Sequence, residues 1–162
     1  MRMLWNLRAD GRAMPRLPSC FLWVSVLVMA CAGAAWAEGA DGVVGQWLTT
    51  NERSTVEIFN ENGTYCGKII DLKEPLDPDT GKPKLDKFNV DPARHQDPLI
   101  GMKLVWGFAH KGGNSWTGGR IYDPENGKTY YCRMSLEGTK LTVRGSLDRW
   151  GIAGRTVVWT RK

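Results

Sequence analysis

The chain has 162 residues, 42% hydrophobic and 24% charged, a composition that suits one soluble domain and excludes a disordered or collagen-like class. Its 22 basic against 17 acidic residues give a formal charge of +5, but beyond residue 37 only 18 basic face 16 acidic residues, about +2. No basic stripe there is interleaved with stacking aromatics, so no nucleic-acid partner is expected.

Arg2, Arg8, Arg12 and Arg16 precede an apolar run over 21–30, and Ala35-Trp36-Ala37 supplies the small residues that a signal peptidase needs. This predicts a signal peptide over 1–37, cleaved after Ala37, and an exported protein, periplasmic or secreted. Met14 offers a later start. The run is too short for an ordinary transmembrane helix, so no transmembrane segment is expected after signal removal. The alternative is a lipoprotein signal at Val28-Met29-Ala30-Cys31, weakened by Met at its second position. Cys20 and Cys31 leave with the signal, and Cys66 and Cys132 enter an oxidising compartment. Residues 38–162 form a single predicted domain that should bury about two-thirds of its unfolded surface, enough for one core without a metal.

In chain order, residues 45–50 form a first predicted strand. Residues 54–59 alternate Val56 and Ile58 with Thr55 and Glu57, and Asn60-Glu61-Asn62-Gly63 turns the chain into a strand over 64–72. Residues 73–98 hold prolines at 75, 78, 83, 92 and 98 among many Asp and Lys, which precludes a strand and any useful helical period. Over 100–108 the alternation puts Met102, Leu104, Trp106 and Phe108 on one face and Lys103, Val105 and Gly107 on the other, with a turn over 109–114. Two runs rich in aromatic and β-branched residues then flank Asp123-Pro124-Glu125-Asn126-Gly127, a hairpin signature. Glu137-Gly138 turns into a strand over 140–146, a loop over 147–153 carries Trp150, and 154–161 is the last strand.

The fold class is therefore all-β, with about eight antiparallel strands and one long Pro-rich loop. An open sheet of that size would leave edges to aggregate, and hairpin following hairpin favours an up-and-down barrel over a sandwich.

Several blocks recur in a fixed order: Gly45-x-Trp47, Val56-Glu57-Ile58, Gly67-Lys68-Ile69, Leu85-Asp86-x-x-Asn89 with Arg94 and Pro98-Leu99-Ile100-Gly101, Gly119-x-Ile121-Tyr122-Asp123-Pro124-x-x-Gly127-Lys128-x-Tyr130, Leu141-x-Val143-Arg144-Gly145 and Gly154-Arg155-Thr156-x-x-Trp159-x-Arg161. Together they resemble the secreted bacterial family called domain of unknown function 2147, over essentially the whole of 38–162. The resemblance implies a small exported, lipocalin-like barrel. Trp47 and Arg161 look like the pair in which a terminal arginine packs over the first-strand tryptophan to close the barrel base, a favourable cation–π contact.

The 73–98 loop is the predicted functional segment, because a loop this long in a compact domain is commonly a lid or disordered. Asp86, Asn89, Asp91 and Arg94 can offer hydrogen bonds and charge to a polar head group, with Arg94 the natural anion contact. The structural alternative is that Asx turns and an Asp–Arg pair tie the loop down. Trp106, Tyr122 and the loop residue Trp150 are further ligand-binding candidates, and the aromatics can line a cavity or fill it. Asp77-x-Asp79-x-Gly81 misplaces the Gly of a calcium loop. His95 and His110 lack partners at metal-ligand spacing, so no metal, no cofactor and no catalytic group is expected. A Cys66–Cys132 disulfide would contribute about 4 kcal/mol, yet in a meander the two fall on the third and sixth strands, whereas pairing needs Cα atoms within about 7 Å.

The leading expectation is a non-enzymatic binding protein for a small apolar or amphipathic molecule, with the 73–98 loop as lid. The alternative is a packed barrel that contacts an envelope protein or cell-wall component. An enzyme using loop carboxylates stands third.

Overall fold

Eight strands account for the fold: β1 (Gly45–Leu48), β2 (Ser54–Glu61), β3 (Thr64–Leu72), β4 (Lys103–Gly112), β5 (Ser115–Asp123), β6 (Lys128–Glu137), β7 (Lys140–Ser146) and β8 (Gly154–Arg161). The computed structural model describes residues 39–162. The leader, its cleavage after Ala37 and lipidation at Cys31 lie outside the described residues. Each strand pairs antiparallel with the next and β1 closes on β8, so the sheet is an up-and-down barrel, as expected. Closure leaves no sheet edge exposed.

The connections divide the barrel into two unlike ends. At the lower end tight turns join β2 to β3, β4 to β5 and β6 to β7. A 3-10 turn at Ala40–Val43 seats there: Trp47 Nε1 donates to Val43 O at 2.9 Å, Trp116 Nε1 to Ala40 O at 3.0 Å, and Tyr65 Oη to Asp41 Oδ1 at 2.8 Å. The Arg161 guanidinium lies 4.3 Å from the Trp47 ring centre and donates to Val44 O at 3.1 Å and to Gly42 O. The upper end carries the loops over 49–53, 73–102, 124–127 and 147–153.

Trp47, Val56, Ile58, Phe108, Trp116, Leu136 and Leu141 are buried and fill the lower half. The Trp116 ring receives Tyr65 edge-on at 6.2 Å. Burying these aromatic and aliphatic side chains stabilises the lower half of the barrel.

β4 departs from the regular alternation of its sequence. It starts at Lys103 and runs to Gly112, leaving a two-residue hairpin turn. Gly67 opposes Val105 while Lys68 opposes Lys103, and Tyr65 opposes Phe108, so β4 carries two extra residues against β3. Each β-bulge restarts the inward–outward count. Leu104, Val105 and Phe108 consequently all point inward, and Gly107 takes up the second irregularity at φ 74°, a conformation suited to glycine. Trp106 is displaced to the outer face, opposite Arg120, rather than sharing a face with Leu104 and Phe108.

The 73–98 segment has no strand but is far from shapeless. Leu76 bridges Pro83, Leu85 bridges Pro98, and Pro92–Arg94 forms a 3-10 turn capped by Asp91, whose side chain accepts from Ala93 N. Gly101 N donates to Ile69 O at 2.7 Å, which stitches the end of the loop to β3.

Candidate functional site

The upper half of the barrel is hollow. A cavity of about 1150 Å³ opens at the loop end, and Ile69, Leu104, Ile121, Val143, Val157 and Trp159 form its apolar floor and walls. Their inward direction follows from register: Val143 opposes Val157, Leu141 opposes Trp159, and Ile121 opposes both Val105 and Tyr130. The rim is polar. Arg53 pairs with Glu125, Lys87 with Asp77 at 2.5 Å, and Lys84 with Glu74 at 3.4 Å. The Lys87 ammonium holds the Asp77 carboxyl down at about 2, well below the ordinary carboxylate range. Arg155 projects at the mouth from the inward side of β8, opposite Gly145, and has no carboxylate partner among the described residues.

The long loop is held against the barrel by one buried knot. Asp86 is fully buried and accepts from Tyr122 Oη and from Asn89 Nδ2, both at 2.6 Å. His95 Nε2 meets Asn89 O at 2.8 Å. Burial, reinforced by the Asp86 carboxylate, pushes the Tyr122 phenol up to about 12. Phe88 O passes so close to Gly127 that an added Cβ there would lie 1.7 Å away, which docks the loop on the β5–β6 hairpin. Only glycine fits that crossing.

The candidates from the sequence therefore separate. Asp86 and Asn89 bond to each other, and Asp86 also to Tyr122 of β5, so both hold the loop against the barrel. Arg94 pairs with Asp97 at 3.1 Å on the surface, and that hydrogen bond raises the arginine's pKa further. Of the six ligand-binding candidates only Tyr122 borders the cavity. Trp106 faces outward, and Trp150 is 74% exposed at the tip of the 147–153 loop, with the Arg149 guanidinium 5.9 Å from its ring centre. Trp47 and Arg161 do meet at the barrel base.

Of the two outcomes left open for Cys66 and Cys132, the structure has both as free thiols with no disulfide partner among the described residues. They stand on β3 and β6, which are not neighbours, and on opposite faces of the wall. Cys132 belongs to the interior cluster, whereas Cys66 shares the outer side with Glu61, its acceptor at 3.4 Å. Burial drives the Cys132 thiol up to about 12, so it is an inert core residue.

The lining that sequence reasoning missed is aliphatic: Leu104, Ile121, Val143 and Val157, with Trp159 and Arg155. Period-two alternation on β7 and β8 carried a signal for Val143, Val157 and Trp159. Nothing in it separated a residue that walls a void from one that packs.

Residues 45–161 match a family described as an uncharacterized protein conserved in bacteria, DUF2147. Among solved structures, a protein from the human pathogen Helicobacter pylori, described as belonging to the lipocalin family, is similar with a TM-score of 0.63 and 31% sequence identity. The similarity covers 74% of this chain and 82% of that one. No curated protein matches the chain.

Proposed function

The chain belongs to the DUF2147 family of bacterial proteins, and from that lipocalin-like barrel we propose an exported, non-enzymatic binding protein that holds one small, partly apolar molecule in the upper half of the barrel. The observation that carries this reading is the cavity of about 1150 Å³ above a packed floor. Its walls are aliphatic and its mouth is charged, so it suits a ligand with an apolar body and a polar head. Arg53, Lys84 and Lys87 of the rim are neutralised by neighbouring carboxylates, whereas Lys73 and Arg155 have no carboxylate partner among the described residues, and Arg155, on the inward side of β8, is placed to meet an anionic head group.

The test is saturable binding of a fluorescent apolar anion, 1-anilinonaphthalene-8-sulfonate, to the purified protein. One site is expected. Gly145 lines the cavity, and a Cβ added there meets only Ile121 Cγ2 at 3.4 Å and Tyr130 Cβ at 3.8 Å, so Gly145→Leu should fold while occupying ligand space. The variant should bind at least about tenfold more weakly, and Arg155→Gln should weaken the anionic probe more than a neutral analogue. Equal binding by the parent and Gly145→Leu would move the probe outside the barrel and sink the carrier reading.

A second reading is an envelope interaction module, favoured by the exposed Leu147, Trp150 and Ile152 on one loop. Native mass spectrometry of protein purified gently from its secretory compartment separates the two. A small adduct lost on denaturation supports the carrier, and a bare chain that captures nothing from lipid extract supports the module.

A further inference from the structure

On the outer wall, away from the barrel cavity, Arg133 of β6 stands directly opposite Arg144 of β7. Like charges in direct cross-strand register repel, and such pairs need a reason or a counter-charge. Neither arginine has a carboxylate within 4.0 Å among the described residues. Arg144 donates to two neutral acceptors, Thr156 Oγ1 at 3.0 Å and Gly151 O at 2.6 Å, while its buried Nε meets no acceptor among the described residues.

The guanidinium pair flanks a depression of about 360 Å³ floored by short hydroxyl side chains. Two cross-strand rows build it. Ser115, Ser135 and Thr142 are successive partners across β5, β6 and β7, and Arg133, Arg144 and Thr156 are successive partners across β6, β7 and β8. Long cationic side chains beside short hydroxyls leave a dish with donors on its sides and base. A guanidinium offers donors in a fork that matches phosphate, and two forks with hydroxyls between them would share the charge of one tetrahedral anion.

We propose that this dish is an oxyanion site that takes a phosphate group, independent of the ligand in the barrel. The anion would bridge Arg133 and Arg144 and convert their repulsion into a shared attraction. It would also reach the loop beyond β7, because Arg144 holds Gly151 O and a Cβ added at Gly151 would sit 3.4 Å from Arg133 Nη1. Occupancy of the dish would thereby stiffen the loop that presents Trp150.

The experiment follows the arginine Nε–H resonances of the full protein as inorganic phosphate replaces chloride at constant ionic strength. Two resonances should shift saturably. Arg133→Gln, which replaces a guanidinium that makes no hydrogen bond among the described residues, should melt no lower than the parent in chloride and should bind phosphate about tenfold more weakly. Arg155→Gln should leave the titration unchanged, which separates this site from the barrel mouth. Shifts that stay linear in phosphate, or that survive Arg133→Gln undiminished, would overturn the proposal. Cosedimentation with phosphatidic acid vesicles but not phosphatidylcholine vesicles, lost in Arg133→Gln, would identify the phosphate as a lipid head group. Phosphate binding with no such cosedimentation would identify a soluble source.

Discussion

At the scale of single residues, the Asp86 carboxylate organises more of the molecule than its surface neighbours do. It satisfies Tyr122 of the wall and Asn89 of the loop at once, so replacing it leaves two donors without a partner. Asp86→Ala should destabilise the protein by about 2–3 kcal/mol, read as a lower urea midpoint. The same knot sets an alkaline limit. The Tyr122 phenol titrates near 12 in the folded protein and near 10 unfolded, so its contribution is complete below pH 10 and is lost as pH rises from 10 towards 12. Absorbance of tyrosinate at high pH should show this late step in the parent and lose it in Tyr122→Phe. Asp86, Asn89 and Tyr122 could all be named from the sequence as candidates. Their mutual satisfaction could not, because Tyr122 and Asp86 are 36 positions apart and only the folded loop brings them together.

At the scale of elements, β4 and β5 depend on glycines that carry no chemistry. Gly119 lies under the Phe108 ring, where a Cβ would come within 2.4 Å of Cδ2. The ring is fully buried, so it has no empty space to move into. Gly119→Ala should cost about 1–3 kcal/mol by overpacking, seen in thermal or urea unfolding. Besides the buried Asp86 knot, the long loop carries charge pairs at the rim. Lys87 keeps the Asp77 carboxyl at about 2 against an ordinary 3.8, so its contribution is present above pH 4 and disappears as pH falls from 4 towards 2. Protease cleavage within 73–98 should accordingly be slower in the parent than in Asp77→Asn at pH 6, with the difference gone at pH 2. The loop's existence and its lack of strands were legible from five prolines. The outward turn of Trp106 was not, since a bulge adds a residue without leaving a pattern that period-two counting detects.

At the scale of the whole molecule, the barrel is closed at one end and hollow at the other, and Arg161 sits where closure is completed. It stacks on Trp47 and donates to two carbonyls of the N-terminal turn, tying the last strand to the first. Lysine would keep the charge and lose the planar fork, so Arg161→Lys should lower stability by about 1–2 kcal/mol, measured by urea unfolding. Binding of an apolar probe in the upper cavity should survive that change, because the lining residues belong to the other end.

By itself the sequence determined the strand count, the hairpin turns, the order of pairing and hence the closed barrel, along with the Trp47–Arg161 closure that the family resemblance implied. These rest on local information: turn residues at fixed positions, period-two alternation, and neighbouring strands that pair because their connections are short. Only the tertiary structure decided that the interior is packed below and hollow above. It also separated Cys66 from Cys132 on opposite faces, turned the long loop's polar residues to holding the loop down, and set Arg133 against Arg144. The physical reason is that each depends on the volume and register that neighbouring elements bring to a side chain, and a side chain's direction along its own strand does not reveal which neighbours reach it.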